Sequence, residues 1–435
     1  MNKNKLSSKF WIALTIFSLI GQVAWVVENM YFNVFIYKMF NASASDISVM
    51  VSASAISATV TTILIGALSD KIGKRKLFIC GGYILWGVSI ISFAFIRVDF
   101  IHSLIPGVAS AASVGISLVI IMDCVMTFFG SSANDACFNA WLTDVTDETN
   151  RGAAEGINSM MPLVAILVVF GGFMGFDLNQ AKGWTTIYLV IGIVVLILGV
   201  LGFFLIQDVP VDTSQNQNYW GNIFYGFRPS VIKKYRLFYM ILAAFAVFCI
   251  SIQTFMPYLI LYYNVSLGMD NYVLIMAPAV IVAAIVTAFY GRMYDKHGFK
   301  ASIIPAIGVL MLGYILLYAF KSVVPVFVGS LFMMSGYLMG MAIFGAMLRD
   351  FTPENRAGMF QGLRIFGQVL IPGIVGPWIG AMVLKNAKMI TNDDGTKSFI
   401  PNQNIFMAAL IVACVIWLVL ALIFNFKQRD VKEKD

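Results

Sequence analysis

The chain has 435 residues, of which 60% are hydrophobic and 12% charged, whereas a soluble globular protein carries about a quarter charged residues. Its net charge of +7 invites a nucleic-acid reading, but the basic residues fall in short segments between apolar runs, which argues against one. Those runs are about 20 residues or longer, enough to cross a bilayer, so most of the chain is expected inside a membrane.

Lys3, Lys5 and Lys9 precede an apolar run that continues to about Phe40. It is too long for the core of a signal peptide and has no small-residue cleavage site, so it reads as an uncleaved first span. Twelve spans follow from the apolar pattern: 11–40, 46–69, 77–97, 108–142, 153–177, 184–206, 236–263, 270–291, 301–320, 324–349, 358–385 and 403–426. The even number puts both termini in the cytoplasm. All but seven of the 29 Lys and Arg then lie on the cytoplasmic side or at cytoplasmic helix ends. The seven are Lys38, Arg97, Lys182, Lys321, Lys385, Lys388 and Lys397. That asymmetry is the positive-inside rule. Residues 207–235, polar and then basic, read as a cytoplasmic linker between an N-terminal six-helix bundle, 1–206, and a C-terminal one, 236–435. Residues 386–402 read as an external loop. The five cysteines lie in apolar segments without metal or CxxC spacing, and are read as small core residues.

The stretch Gly66–Lys76, GALSDKIGKRK, joins two spans by a turn short enough to make them antiparallel neighbours. Gly66 is expected to let backbones approach closely, and Gly73 to serve the turn. Asp70 is expected near a cation or a helix N-terminus. Lys71, Lys74, Arg75 and Lys76 are expected to hold the loop in the cytoplasm. Adding 225 takes Gly66, Asp70, Lys71, Gly73 and Arg75 to Gly291, Asp295, Lys296, Gly298 and Lys300. A second offset of 206 takes Asp144, Thr146, Glu148, Gly152 and Gly156 to Asp350, Thr352, Glu354, Gly358 and Gly362. Duplicated six-helix halves are a transporter pattern, with the binding site between them near the midplane.

With these residues in view, the chain resembles the major facilitator superfamily. GALSDKIGKRK fits the superfamily's 2–3 loop pattern, G-x-L-[AS]-D-[RK]-x-G-[RK]-[RK]-[RK], at every fixed position. The resemblance implies an all-α membrane fold of twelve helices in two pseudo-symmetric bundles. It also implies that this loop and its repeat, Asp295, Lys296 and Gly298, act as a conformational gate. Asp135-Ala-Cys-Phe138-Asn139-Ala140, followed by Asp144, Thr146, Asp147, Asn150 and Arg151, is similar to the span-four end of the glycoside–pentoside–hexuronide:cation symporters, melibiose-permease-like proteins. In that family the Asp135 position is implicated in sugar binding. Two departures speak against its sodium site: Ala58 and Thr62 stand where sodium-coupled members carry Asp, and Gln368 or a close neighbour where they carry Lys. Proton coupling becomes the expectation. The chain has no nucleotide-binding P-loop, and span five lacks the glycine–proline pattern of antiporters.

Ionisable groups inside a membrane are costly and read as functional by default. Glu28 lies 19 residues beyond Lys9, roughly 28 Å along a helix and so at or just outside the midplane. Trp25, Glu28, Asn29 and Phe32 share a face at helical spacing, a ring beside polar groups that suits a sugar. Asp135, flanked by Asn134 and Asn139, lies about 13 Å inside the boundary marked by Asp144. Glu28 and Asp135 are the proton-coupling candidates. Asp123 is expected near the external mouth. Arg364 either snorkels to the cytoplasm or pairs with a cavity carboxylate, and Gln368 lies one turn deeper on its face. Gln253 is a site candidate, whereas Tyr258, Tyr262 and Tyr263 are expected as interfacial anchors.

The expectation is a multi-pass protein of the cell membrane and a monomer. Its partners are a small solute, protons more than sodium, and the lipid bilayer. Neither cofactor nor metal is implied. The reading is proton-coupled symport of a sugar or glycoside, with a proton antiporter exporting amphipathic compounds as the alternative. An enzyme is not expected, because no nucleophile–base pair or metal cluster is legible.

Overall fold

The computed structural model describes residues 6–105, 110–147, 150–207, 226–352, 363–392 and 395–432, with side chains described as far as Asn425. Most of the expected linker, 208–225, and the 10–11 loop positions Glu354, Gly358 and Gly362 lie outside the described residues. So does Glu148.

The chain forms two compact units, Met1–Tyr219 and Trp220–Asp435. The first unit opens with α1, Ser8–Val26, and α2, Phe32–Phe40, joined through a wider helical turn into one span. Next come α3, Ala44–Ile72, α4, Arg75–Phe93, and the short α5, Val98–Leu104. The unit closes with α6, Ala111–Gly130, α7, Asn139–Val145, α8, Arg151–Phe173, and α9, Ala181–Leu205. Polar residues set the breaks between these apolar helices. Ser7 caps α1 by accepting from the Phe10 N–H, and Ser43 and Asp46 form a reciprocal capping box on α3. Gly73 ends α3 with a φ of 71°, a left-handed conformation that glycine takes without strain. Helix α4 packs on α9, α1 on α8 and α3 on α6. The α4–α9 contact is close because a Cβ on Gly87 would stand 2.7 Å from the Gly192 carbonyl.

The second unit contains α10, Pro229–Lys234, α11, Arg236–Phe255, and the single turn α12, Leu259–Leu261. Two long helices follow, α13, Val273–Ala319, and α14, Val323–Asp350; α15, Ile371–Leu384, and α16, Asn404–Lys432, complete it. Among the described residues eleven segments are long and apolar enough to cross a membrane. One of these, α13, has 47 residues, about 70 Å of helix and twice the thickness of a bilayer's apolar core. It is broken at Gly298, whose φ of 75° and ψ of −177° belong to a region essentially reserved for glycine. The break divides it into the eighth and ninth spans, so the fold is the expected all-α arrangement of twelve. Within the stretch expected as an external loop, Met389–Thr391 and Lys397–Phe399 pair as antiparallel strands.

The apolar side chains left outside the packing, such as Phe204, Leu274 and Leu418, cover the outer faces of the spans. A bilayer solvates such faces, and it leaves every span responsible for its own backbone hydrogen bonds.

Candidate functional site

Among the described residues four stretches widen from α- to π-helix: Val27–Tyr31, Ser131–Phe138, Tyr262–Ser266 and Phe366–Leu370. A π turn inserts one extra residue, weakens the local ladder and re-aims side chains, and such turns gather at functional positions. The first carries Glu28 and Asn29, the second Asn134 and Asp135, and the fourth Gln368.

Glu28 is 6% exposed. Ser54 of α3 and Thr127 of α6 donate to its Oε1 at 2.7 and 2.8 Å, and the two hydroxyls lie 2.9 Å apart. Its Oε2 is buried and has no hydrogen-bond partner among the described residues. A carboxylate accepts through both oxygens, so half of this group's capacity is unused. Asp123 corrects the sequence reading. It is 1% exposed, so it does not line an open mouth, and the Glu28 charge acts on it. Its Oδ1 also has no partner among the described residues. It stands one turn from Thr127 on the same helix face, and Thr127 holds Glu28.

The shared face expected for Trp25, Glu28, Asn29 and Phe32 does not form. The π turn breaks the spacing on which that face depends. Trp25 packs against Trp86 at 5.1 Å between centroids, Phe32 against Phe93 and Tyr188 at 4.6 and 5.5 Å, and Asn29 is exposed and donates to the Trp25 carbonyl at 2.8 Å.

Asp135 is half-buried and accepts from Ser131 at 3.0 Å. Asn134 is buried and donates to the Tyr83 hydroxyl at 2.7 Å, which in turn donates to the Phe17 carbonyl at 2.9 Å. That chain ties three spans together, so the Asn134 amide is engaged by the protein itself. Asn139 is exposed and donates to the Asp135 carbonyl at 3.2 Å.

Where the third span begins, Arg75 is 5% exposed, not a solvated loop cation. It pairs with Asp70 and, at 3.0 Å, with Asp144, and it donates to Ser69. Asp70 therefore has the cation expected of it. Gly66 does not have the role expected of it here, since a Cβ there would meet Ala136 Cβ at 4.0 Å, an ordinary contact. Lys71 is exposed. The repeated stretch in the second unit keeps the glycine but not the clamp. Asp295 and Lys296 are exposed, and neither forms an ion pair among the described residues. Asp350, the counterpart of Asp144, accepts from the Tyr294 hydroxyl, and Lys300, the counterpart of Arg75, lies 5.2 Å from the Phe424 ring.

In the second unit Arg364 does not snorkel outward. Its Nε donates to Gln368 Oε1 at 3.0 Å, one turn further into the span, and its guanidinium lies 5.9 Å from the Phe245 ring. Gln253 is half-buried against Gly376. Tyr258, Tyr262 and Tyr263 are buried, not interfacial, with hydroxyls reaching the Pro377 carbonyl at 3.1 Å, the Leu317 carbonyl at 3.4 Å and Ser330 at 2.6 Å. Among the described residues no cluster of three or more His, Cys, Asp or Glu could hold a metal ion. A cavity of about 400 Å³ lies at the Phe93 end of the first unit, lined by Phe35, Phe93, Arg97 and Trp184 among others. Glu28, Asp123 and Asp135 are not part of its lining.

Sequence missed Ser54 and Thr127 as partners of Glu28, and Asp123 as a buried acid near them. Two are hydroxyl residues common in membrane helices, and for Asp123 position along the axis was a poor guide to facing.

Twelve apolar spans in two units, with acids and hydroxyls buried inside one of them, define a multi-pass membrane protein built to handle polar species. The Major Facilitator Superfamily model matches residues 10–377, so the chain belongs to that superfamily and is a membrane transporter, not an enzyme. No curated protein matches the chain. Solved structures of similar fold include a mutant of the nucleoside transporter NupG, at 13% identity and TM-score 0.72, covering 95% of this chain and 99% of that one. A bacterial homologue of the human lysosomal transporter Spinster, inward-facing and unoccupied, has 13% identity and TM-score 0.69 over 98% and 99%. The xylose transporter XylE from E. coli, partially occluded and inward-open, has 16% identity and TM-score 0.65 over 94% and 98%.

Proposed function

We propose that this transporter is a proton-coupled symporter that imports a small sugar or glycoside by alternating access. The observation that carries the reading is Glu28: a carboxyl buried among membrane spans, with one oxygen held by two hydroxyls and the other unpartnered. Such a group can take up and give back a proton while its position stays fixed. Asp135, on its own π turn, is the second candidate. Protonation lowers the electrostatic cost of enclosing the acid with a substrate, and rocking of the two halves then exposes the solute to the other side. Asn29, Asn139, Gln253 and the Arg364–Gln368 pair supply polar groups for hydroxyl-rich solutes. Structures of a xylose transporter and a D-xylose–proton symporter are among those of similar fold, which supports a sugar as the first class to test. The nucleoside transporter of similar fold makes nucleosides the second.

In this reading the protein sits in the cell membrane as a monomer with both termini in the cytoplasm. The Asp70–Arg75–Asp144 clamp stabilises the state closed on the cytoplasmic side. The test is reconstitution in proteoliposomes with a panel of labelled sugars and nucleosides under an imposed inward proton gradient. A sugar should accumulate, and Glu28→Gln and Asp135→Asn should each lose accumulation while still inserting in the membrane. If the gradient instead drives solute outward, the protein is an exporter.

A further inference from the structure

Seven buried side-chain polar atoms of the first unit have no hydrogen-bond partner among the described residues, and three of them belong to groups that act on one another: Glu28 Oε2, Asp123 Oδ1 and the Tyr188 hydroxyl. Asp123 stands one helical turn before Thr127, which donates to Glu28. The native rule is that buried polar groups are satisfied, and an exception points to an unseen proton, water or ion. The exceptions here are unusual in kind. Two of the three atoms are carboxyl oxygens, which only accept when ionised.

The surroundings sharpen the question. Around the two acids, α3 contributes the uncharged Ser54 and Ser57, the latter donating to the Cys124 carbonyl at 2.9 Å. Helix α6 contributes Thr127 and Cys124, and α9 contributes Tyr188. Asp135, beyond Thr127 on the same span, also acts electrostatically on Glu28, but it is half-buried and accepts from Ser131. No Lys, Arg or His among the described residues forms an ion pair with Glu28 or Asp123. Two ionised carboxyls without a cation are among the most expensive arrangements a low-dielectric interior can contain. A proton carried by either acid removes one of the two charges and turns one carboxyl oxygen into a donor.

From this we infer that Glu28 and Asp123 form a single proton-carrying pair, in which Asp123 is the second coupling acid of the transporter. The inference rests on the proposed proton coupling through Glu28 and deepens it, because it gives Glu28 a second acid, Asp123, on the facing span.

The first measurement needs neither substrate nor variant. Infrared difference spectra of the purified protein in lipid, at neutral pH, should show a protonated-carboxyl stretch that shifts in deuterated buffer. The band should be lost or shifted in Asp123→Asn and in Glu28→Gln, and unchanged in Asp135→Asn. Absence of the band from the natural sequence overturns the inference. So does a band that sodium removes saturably while potassium and choline do not, since the pair is then a sodium site. Asp123→Glu, which keeps a carboxyl, covers the case in which Asp123→Asn fails to insert or is not monodisperse; it should retain a shifted band. In proteoliposomes Asp123→Asn should lose proton-driven accumulation, as should Glu28→Gln. Full accumulation in Asp123→Asn beside its loss in Glu28→Gln sinks the pair while leaving proton coupling through Glu28 intact. Proton-driven accumulation that survives in all three variants sinks the coupling reading itself.

Discussion

The turn between α3 and α4 and the break inside α13 carry the same sequence pattern, 225 residues apart, and they differ in chemistry. In both, a glycine with positive φ reverses the chain, Gly73 at 71° and Gly298 at 75°. In the first, Arg75 is buried and links Asp70 to Asp144, so that the ends of three spans are held by one guanidinium. In the second, the matching lysine lies over an aromatic ring and the matching aspartates go elsewhere, Asp295 to solvent and Asp350 to Tyr294. A planar guanidinium can serve two carboxylates at fixed angles and an ammonium is a poorer substitute. The duplication has therefore preserved the backbone turn, which sterics enforce, and has let the ion pairing diverge. The interiors differ in the same direction: the first unit buries Glu28 and Asp123, whereas the second buries tyrosine side chains and holds a half-buried Arg–Gln pair.

The most damaging way to break this comparison is Arg75→Ala. It leaves Asp70 and Asp144 facing one another without a cation. Removing one partner of a buried pair costs about 3 to 5 kcal/mol, and the lower figure applies because these side chains keep 31% and 26% exposure. Thermal unfolding in detergent should show the loss, and added salt should recover only part of it. Next in size is Gly298→Ala. Any side chain there must adopt a backbone conformation costing about 1 to 3 kcal/mol, although nothing stands within 4 Å of the added Cβ. A fall in unfolding temperature without any change in the first unit's protease sensitivity is the expected result. Lys300→Ala should cost about 0.5 kcal/mol, the scale of an exposed cation–π contact. If Lys300→Ala proves as costly as Arg75→Ala, the two loops are equivalent after all and the contrast drawn between them is wrong.

Much of this was legible in the chain. The spans, the duplication and the glycine turns follow from hydropathy and from φ restrictions, both of which act locally. The clamp was half legible: the pattern marked Asp70 as needing a cation, but counting basic residues for topology treated Arg75 as solvated. The acid pair was legible only in one member. Counting 1.5 Å per residue places Asp123 along the axis, but facing depends on accumulated rotation, and the π-helical stretches at Val27–Tyr31 and Ser131–Phe138 each shift it. The same shift dissolved the face expected for Trp25, Asn29 and Phe32. Tyr258, Tyr262 and Tyr263 went astray differently, because Tyr near a helix end is enriched at membrane interfaces and also serves as a buried donor to a carbonyl, and composition does not separate the two.

The smallest effect tests the part of the motif that the structure leaves without a task. Gly66 lies in the fixed pattern of the turn, yet a Cβ there makes only an ordinary contact with Ala136. Gly66→Ala should therefore leave stability within about 0.5 kcal/mol, as for a substitution that adds neither strain nor a clash. It should even gain slightly from better helix propensity. Transport is the sharper readout. A rocking mechanism brings helix surfaces together in one state and parts them in another, so a glycine idle in this conformation is free to serve a closer contact in the other. Unchanged stability with slowed solute exchange in Gly66→Ala assigns the glycine to that second state. Unchanged stability with unchanged exchange leaves Gly73, Asp70 and Arg75 as the working part of the loop.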